Sequence, residues 1–243
     1  MRNRVELQPA YVLHTQAYQN TSMLVDLFCV DYGRVRAVAK GARRATSRSR
    51  ALLQPFQPVL VSLSGRTDLK NLLAIEGSVS VQRLQGGRLF SGLYLNELLV
   101  RLLMFQESIP ALYHSYQEAI IALHSDRELA VVLRRFELEL LDALGYGIDL
   151  QCDCYSGEEI VVEASYLFHP DIGFERVPPS VQAQRPSPAL FSGRELLALR
   201  HGELSDKALS QAALRLTRMA LHVHLGDKPL ASRALFVRHS STQ

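Results

Sequence analysis

In the first ~80 residues the apolar positions come in short runs or alternate with a period of two, the repeat of a half-buried strand. Ala10 to His14 is a short apolar run, and Ser22 to Val30 is rich in β-formers before the turn residues Asp31-Tyr-Gly33. Arg34 to Lys40 alternates, with Val35, Ala37 and Ala39 on one face and Arg34, Arg36, Val38 and Lys40 on the other. After a polar loop, Pro58 to Ser64 alternates again. Ser64 to Asp68 then reads as a hairpin turn and Leu69 to Glu76 as a fifth strand. Five short strands with one long connection fit a small Greek-key barrel, an OB-fold first and an SH3-like barrel as the alternative.

Beyond Gly86-Gly87 the period changes to about 3.6, the repeat of a helix. Leu95, Leu98, Leu99, Leu102 and Leu103 form one stripe that Pro110 interrupts, and Ala111 to Leu123 forms a second. In a third, Ser125 and Glu128 have the spacing of a capping box, Leu129 to Leu144 carries the stripe, and Gly145 stops it. Residues 146–190 are irregular, with short strands expected at Ile160–Val162 and Tyr166–Phe168 and an extended connector through Pro178, Pro179, Pro186 and Pro188. Helical pattern returns from Gly193 to Leu199, from Asp206 to Leu225, and in a short last helix at Ser232 to Arg238 before a polar tail. The expected class is α+β multidomain. Residues 1–82 would be an OB-fold β-barrel, and residues 83–243 an α-helical domain with a small irregular or β insertion at 146–190.

A composition of 47% hydrophobic and 21% charged residues excludes collagen-like, disulfide-scaffold and wholly disordered chains. The formal net charge of +3 changes the picture only when divided. Residues 1–80 hold 11 Lys/Arg against 5 Asp/Glu, a balance of +6, and the remainder 16 against 19, a balance of −3. A basic first part suits a polyanion. The first residues lack the apolar core of a signal peptide, and no stretch approaches the ~18 apolar residues of a membrane span. Three cysteines, Cys29, Cys152 and Cys154, make an odd set, so a reduced cytoplasmic setting is expected.

The densest candidate chemistry is Arg34, Arg36, Lys40, Arg43, Arg44, Arg48 and Arg50, seven cations in a stretch without an acidic residue. Arginine forks bind phosphate oxygens bidentately, so nucleic acid is the sharper reading and a solvated surface loop the plainer one. Tyr11, Tyr18, Phe28, Tyr32 and Phe56 could add base stacking, Phe28 being better suited to the core and Tyr18 and Tyr32 to exposure. Cys152-Asp-Cys154 has the wrong spacing for structural zinc and lacks a second pair, so no metal or cofactor is expected. His222 and His224 diverge on their helix and cannot share an ion. No phosphate-cradling glycine loop, nucleophile elbow or His-Glu-x-x-His pattern occurs, which leaves an enzyme without residues. Arg134-Arg135 beside Phe136, Arg215 with Arg218 near Met219, and Arg233 could edge an apolar groove for an acidic peptide. Composition alone favours an ordinary helix surface with pairs such as Arg135–Glu139.

Taken in order, several segments resemble the bacterial RecO recombination mediators over essentially the whole chain. They are Tyr11-Val-Leu-His14, Gly33-Arg-Val-Arg-Ala-Val-Ala-Lys-Gly-Ala-Arg43, Leu53-Gln-Pro-Phe56, Gly92-Leu-Tyr-Leu-Asn-Glu-Leu98, Leu133-Arg-Arg-Phe-Glu-Leu138, Leu144-Gly-Tyr-Gly147 and Thr217-Arg-Met-Ala220. The resemblance implies an OB-fold followed by a helical domain. It further implies binding of single- and double-stranded DNA, strand annealing, and partnership with RecR and with the C-terminal tail of the single-stranded-DNA-binding protein, together loading RecA. That tail is acidic and ends in phenylalanine, which makes Arg134, Arg135, Arg218 and Arg233 its candidate site. Some relatives carry a four-cysteine zinc site that Cys152 and Cys154 do not reproduce. The expectation is a non-enzymatic, cytoplasmic, nucleoid-associated repair mediator. The alternative is a scaffold whose basic loop binds an acidic protein.

Overall fold

Five strands, β1 (Arg4–Tyr18), β2 (Ser22–Cys29), β3 (Gly33–Ala39), β4 (Pro58–Ser64) and β5 (Leu69–Gly77), close into a barrel in the order β1-β2-β3-β5-β4. This computed structural model describes residues 4–77, 82–178, 187–204 and 206–240. All pairings are antiparallel except the short parallel contact of β3 with β5, which is the OB-fold arrangement. The alternation read from the sequence points Val25, Leu27 and Cys29, Val35, Ala37 and Ala39, and Val59, Val61 and Leu63 into one buried core. β1 is far longer than the apolar run at Ala10–His14, because it pairs with β4 through its first half and β2 through its second. Irregularities between Val5 and Gln8 and between Val12 and His14 bend it from one partner to the other, and they break the period that would have marked it. The β3–β4 connection contains one helical turn, α1 (Ser49–Leu52).

Two helices, α2 (Gly86–Leu102) and α3 (Pro110–Leu123), pack on the outside of this barrel, and Pro110 starts α3 at a position where no amide is needed. Tyr11 and Phe28 meet the rings of Tyr113 and Tyr116 at centroid separations of 5.1–6.0 Å. Burial pushes the phenol of Tyr116 up, and its hydroxyl donates to Asn96 Oδ1 at 2.6 Å while Asn96 Nδ2 donates to Leu13 O at 2.8 Å. The α2–α3 link runs beside β3: Gln106 N donates to Arg34 O at 2.8 Å, and Phe105 bridges Arg34 in parallel. Gly33 makes this approach possible. Its φ is +60°, and a Cβ there would lie 1.7 Å from Glu107 O.

A last helix, α7 (Ala231–Ser240), is held on α2 by the Glu97 carboxylate, which accepts from Ala231 N, Ser232 N and Ser232 Oγ at 2.6–2.8 Å. It also sets Phe236 edge-on to Phe90 at 5.8 Å. Met1–Asp126 and Pro229–Gln243 therefore form one compact unit. The change of period near residue 86 marks where strands give way to helices, whereas the compact units divide at Asp126.

The second unit, Arg127–Lys228, contains α4 (Leu129–Ala143), β6 (Ser165–His169), β7 (Gly173–Val177), β8 (Leu190–Ser192), α5 (Gly193–Arg200) and α6 (Lys207–Leu225). Its sheet has the order β7-β6-β8 and buries Tyr166, Phe168, Phe174 and Phe191. The expected strand at Ile160–Val162 is absent, and most of the proline connector, residues 179–186, lies outside the described residues, as does the polar tail 241–243. The expected capping box at Ser125 does not form either. Ser125 Oγ donates to Ala122 O at the end of α3, and α4 begins after Glu128 without a side-chain cap. A full capping box forms instead at Ser192 and Glu195, opening α5. Asp206 caps α6, and Gly145 closes α4 with φ +81°. Cys152-Asp-Cys154 is organised by its middle residue. Asp153 accepts from Tyr155 N, Ser156 N and Arg176 N at 2.5–2.9 Å, and although burial opposes ionisation, these bonds hold its carboxyl down at about 2.

Burial alone would raise the carboxyl of Glu97, but the three bonds from Ser232 and Ala231 outweigh it and hold the group below its ordinary value. The docking of α7 is therefore complete above the ordinary carboxylate range and lost as pH falls through and below it. Glu97→Ala should weaken α7 by about 1–3 kcal/mol, seen as faster amide exchange from Ser232 onward at neutral pH. Wild-type exchange rates in the variant would contradict this attachment.

Candidate nucleic-acid interface

The β3–β4 connection is pinned at both ends by side chains in the barrel core, Ala42 and Leu53. Between them the chain makes successive turns, with Arg44 N donating to Gly41 O, Ser47 N to Arg44 O and Arg50 N to Ser47 O at 3.0–3.4 Å. The turns leave their small residues, Gly41, Ala42 and Ser47, at or below the surface and put Lys40, Arg43, Arg44, Arg48 and Arg50 outside. Arg43 ties the connection to the β1–β2 turn: its amide donates to Thr21 O at 2.9 Å and Nη1 to Gln19 O at 3.2 Å. Arg43 and Arg50 also line a notch over Ala17 and Met23. None of the five cations has a carboxylate partner among the described residues, and no acidic residue lies between Asp31 and Asp68. Five cations on a short turn-rich segment can hold phosphates, and they offer nothing for acid–base or nucleophilic chemistry.

The structure removes Arg34 from the expected set and engages Arg36. Arg34 is buried, its Nη1 donating to Val100 O and Leu103 O at the end of α2, and its Nη2 lies 3.7 Å from Asp26. Burial pulls its guanidinium pKa down while Asp26 pulls it back up. Arg36 forms a fork with the same carboxylate, at 2.8 and 2.9 Å, which raises its pKa. Phe105 lies against both, its centroid 4.2 Å from Arg34 Cζ and 5.3 Å from Arg36 Cζ. Alternation placed these two arginines on the outward face of β3 correctly, but the end of α2 and the α2–α3 link bury Arg34 there, and Arg36, half-buried, is held by Asp26. The candidate stacking residues follow the same division. Tyr11, Phe28 and Phe56 are buried, and Tyr18 and Tyr32 are half-buried.

Comparison with known sequences bears on this geometry. The family model described as Recombination protein O N terminal matches residues 1–80, and that described as Recombination protein O C terminal matches residues 83–234. The chain belongs to the RecO family. A relative from Pseudomonas putida (strain GB-1) named DNA repair protein RecO is 46% identical over 229 residues, which is 94% of this chain and 96% of the relative. Relatives of the same name from Cellvibrio japonicus (strain Ueda107) and Haemophilus influenzae (strain PittGG) are 41% and 40% identical, with 96% of this chain and 97% of each relative covered.

Of the candidate tail-binding arginines of this RecO-family chain, Arg134, Arg135 and Arg218 lie in the second unit. Arg134 is buried inside the second unit and paired with the buried Glu137 one turn on, so it cannot meet a ligand at the surface. Arg135 is exposed and forms the expected pair with Glu139 at 2.8 Å. Arg218 is exposed on α6 in the same unit, whereas Arg233 belongs to the first unit. Arg215 is fixed by Leu190 O, Glu195 and the face of Phe191, which ties α6 to β8. His222 is exposed and His224 stacks on Tyr146 at 3.7 Å. Around Cys152 and Cys154 no group of three or more His, Cys, Asp or Glu is placed to hold a metal among the described residues.

Arg34→Ala should cost about 3 kcal/mol of stability, because it unties α2 from the barrel and leaves Asp26 with one arginine partner. It should leave the salt dependence of DNA affinity unchanged, since no phosphate contact is lost. Thermal unfolding and a salt titration test both halves, and a shallower salt slope would return Arg34 to the interface.

Proposed function

We propose that this RecO-family protein acts in DNA repair as a non-enzymatic recombination mediator, binding single- and double-stranded DNA and annealing complementary strands. With RecR it would help to load RecA onto strands coated by the single-stranded-DNA-binding protein. The observation that carries the reading is the exposed set Lys40, Arg43, Arg44, Arg48 and Arg50 on the β3–β4 connection, with no carboxylate partner among the described residues. Phosphate contacts of this kind are independent of sequence and leave most base edges free to find partners. Neutralising phosphates on both strands offsets their repulsion, so annealing needs no nucleotide hydrolysis. No described helix is long and apolar enough to cross a membrane, and the working place of such a mediator is the cytoplasm, at the nucleoid.

Reversing Arg43, Arg44, Arg48 and Arg50 to Glu should abolish annealing and lower DNA affinity by several orders of magnitude at physiological salt, with the fold intact. Unchanged affinity across a salt titration would overturn the assignment and favour an acidic protein as the loop's partner.

Docking on coated strands is assigned to the second unit, through Arg135 and Arg218 on α4 and α6, both exposed and beside helices that pack together. A labelled acidic peptide ending in phenylalanine should bind Arg135→Ala and Arg218→Ala about tenfold more weakly, the loss expected for one charge-assisted contact, and Arg233→Ala at wild-type strength. Wild-type binding by both of the first two would overturn this placement.

A further inference from the structure

Beside the cationic turns lies a cleft of about 190 Å³ that the phosphate-binding role leaves unused. Its floor is apolar, formed by Phe56, Leu84 and Leu89, and its rim carries Gln57, Gln82 and Arg83. The floor is built at a conformational cost. Phe56 has φ +71°, a region that bulky residues avoid, and such strain persists where the surroundings impose it. Here α2 imposes it: the Phe56 ring lies against Gly92, where a Cβ would come within 2.8 Å of the ring. The rim is held as well, since the backbone carbonyl of Gln82 is hydrogen-bonded to His124 Nε2 at 2.8 Å. The side chains of Gln57, Gln82 and Arg83 have no hydrogen-bond partner among the described residues.

We infer that this cleft receives one unpaired nucleobase of a bound single strand, an inference that rests on the DNA-binding reading above and deepens it. Three features select this occupant. The volume lies below the ~300–1,000 Å³ of clefts that enclose whole cofactors, so it suits a single ring system. Primary amides offer donor and acceptor together, which matches the exposed edge of any base, and the apolar floor supplies a surface for its face. Arg50 is linked to the cleft wall through Gln54, whose Nε2 donates to Arg50 O at 3.3 Å. Gln54 stands four residues beyond Arg50, just past the end of α1, and lines the cleft. A nucleotide with its phosphate on Arg50 thus has a base pocket within reach. A paired base cannot enter, so the cleft distinguishes single strands from duplex, which the cations alone do not.

The test compares a single-stranded oligonucleotide containing 2-aminopurine, an abasic strand of the same length, and a duplex, each titrated into the full-length protein. Wild-type protein should bind the base-bearing strand about tenfold more tightly than the abasic one, the worth of one stacked base, with a change in 2-aminopurine fluorescence. Leu89→Trp, which fills the cleft from its floor, should bring that ratio near one and leave duplex affinity and the salt slope as in wild type. Equal binding of base-bearing and abasic strands by wild-type protein would overturn the inference alone, whatever the variant's stability. Failure of all three nucleic acids to bind would overturn the DNA-binding reading with it. An acidic peptide that loses binding in Leu89→Trp, with strand binding unchanged, would assign the cleft to a peptide and overturn the inference.

Discussion

A single buried carboxylate, Asp26, organises the first unit. It lies on the outer face of β2 and is met by two arginines from β3, Arg36 through a bidentate fork and Arg34 at 3.7 Å. One carboxylate between two guanidinium groups leaves a positive balance, and Arg34 directs its share at the carbonyls of Val100 and Leu103. Those carbonyls lie at a helix end where no intrahelical donor is available and where the peptide dipoles gather partial negative charge. A buried charge is tolerated only when it is paired and hydrogen-bonded, and here the pairing fixes the end of α2 to the barrel. The α2–α3 link, the aromatic packing of α3 on Tyr11 and Phe28, and the docking of α7 on Glu97 all follow from that position of α2.

This constraint decides where a ligand can go. OB-folds commonly bind strands of nucleic acid across β2 and β3, and in this chain that face is occupied by the Asp26 cluster and by the rings of Tyr113 and Tyr116. The accessible charge has moved to the connection that leaves β3, where Gly41 and Ser47 let the backbone turn tightly and the arginines point outward. Fixed cations with few exposed aromatic rings hold a strand by its phosphates and leave base edges open, which suits a protein that brings two strands together.

The barrel was readable because its strands obey a period of two and its core positions are apolar. The same alternation identified the outward side of β3 but carries no information about what covers it, so Arg34 and Arg36 read as ligand-facing. A period counts charged residues as surface, and it therefore missed Arg134 and Glu137, which are buried together one turn apart. Ser125 and Glu128 have the spacing of a capping box, yet the nearer end of α3 takes the Ser125 hydroxyl. Ser192 and Glu195, with the same spacing and no competing helix end, do form the box. The cleft at Phe56 joins residues 54–57 to residues 82–93, and no local pattern connects segments that far apart.

The central claim is that DNA is held by the β3–β4 connection and not by the β2–β3 face. Amide exchange with and without bound single-stranded DNA tests it most directly. Protection should appear across residues 41–57 and the β1–β2 turn at 19–21, while strands β2 and β3 exchange as they do in the free protein. Protection confined to the second unit, or arising on β2 and β3 with loss of protection in α2, would contradict the account.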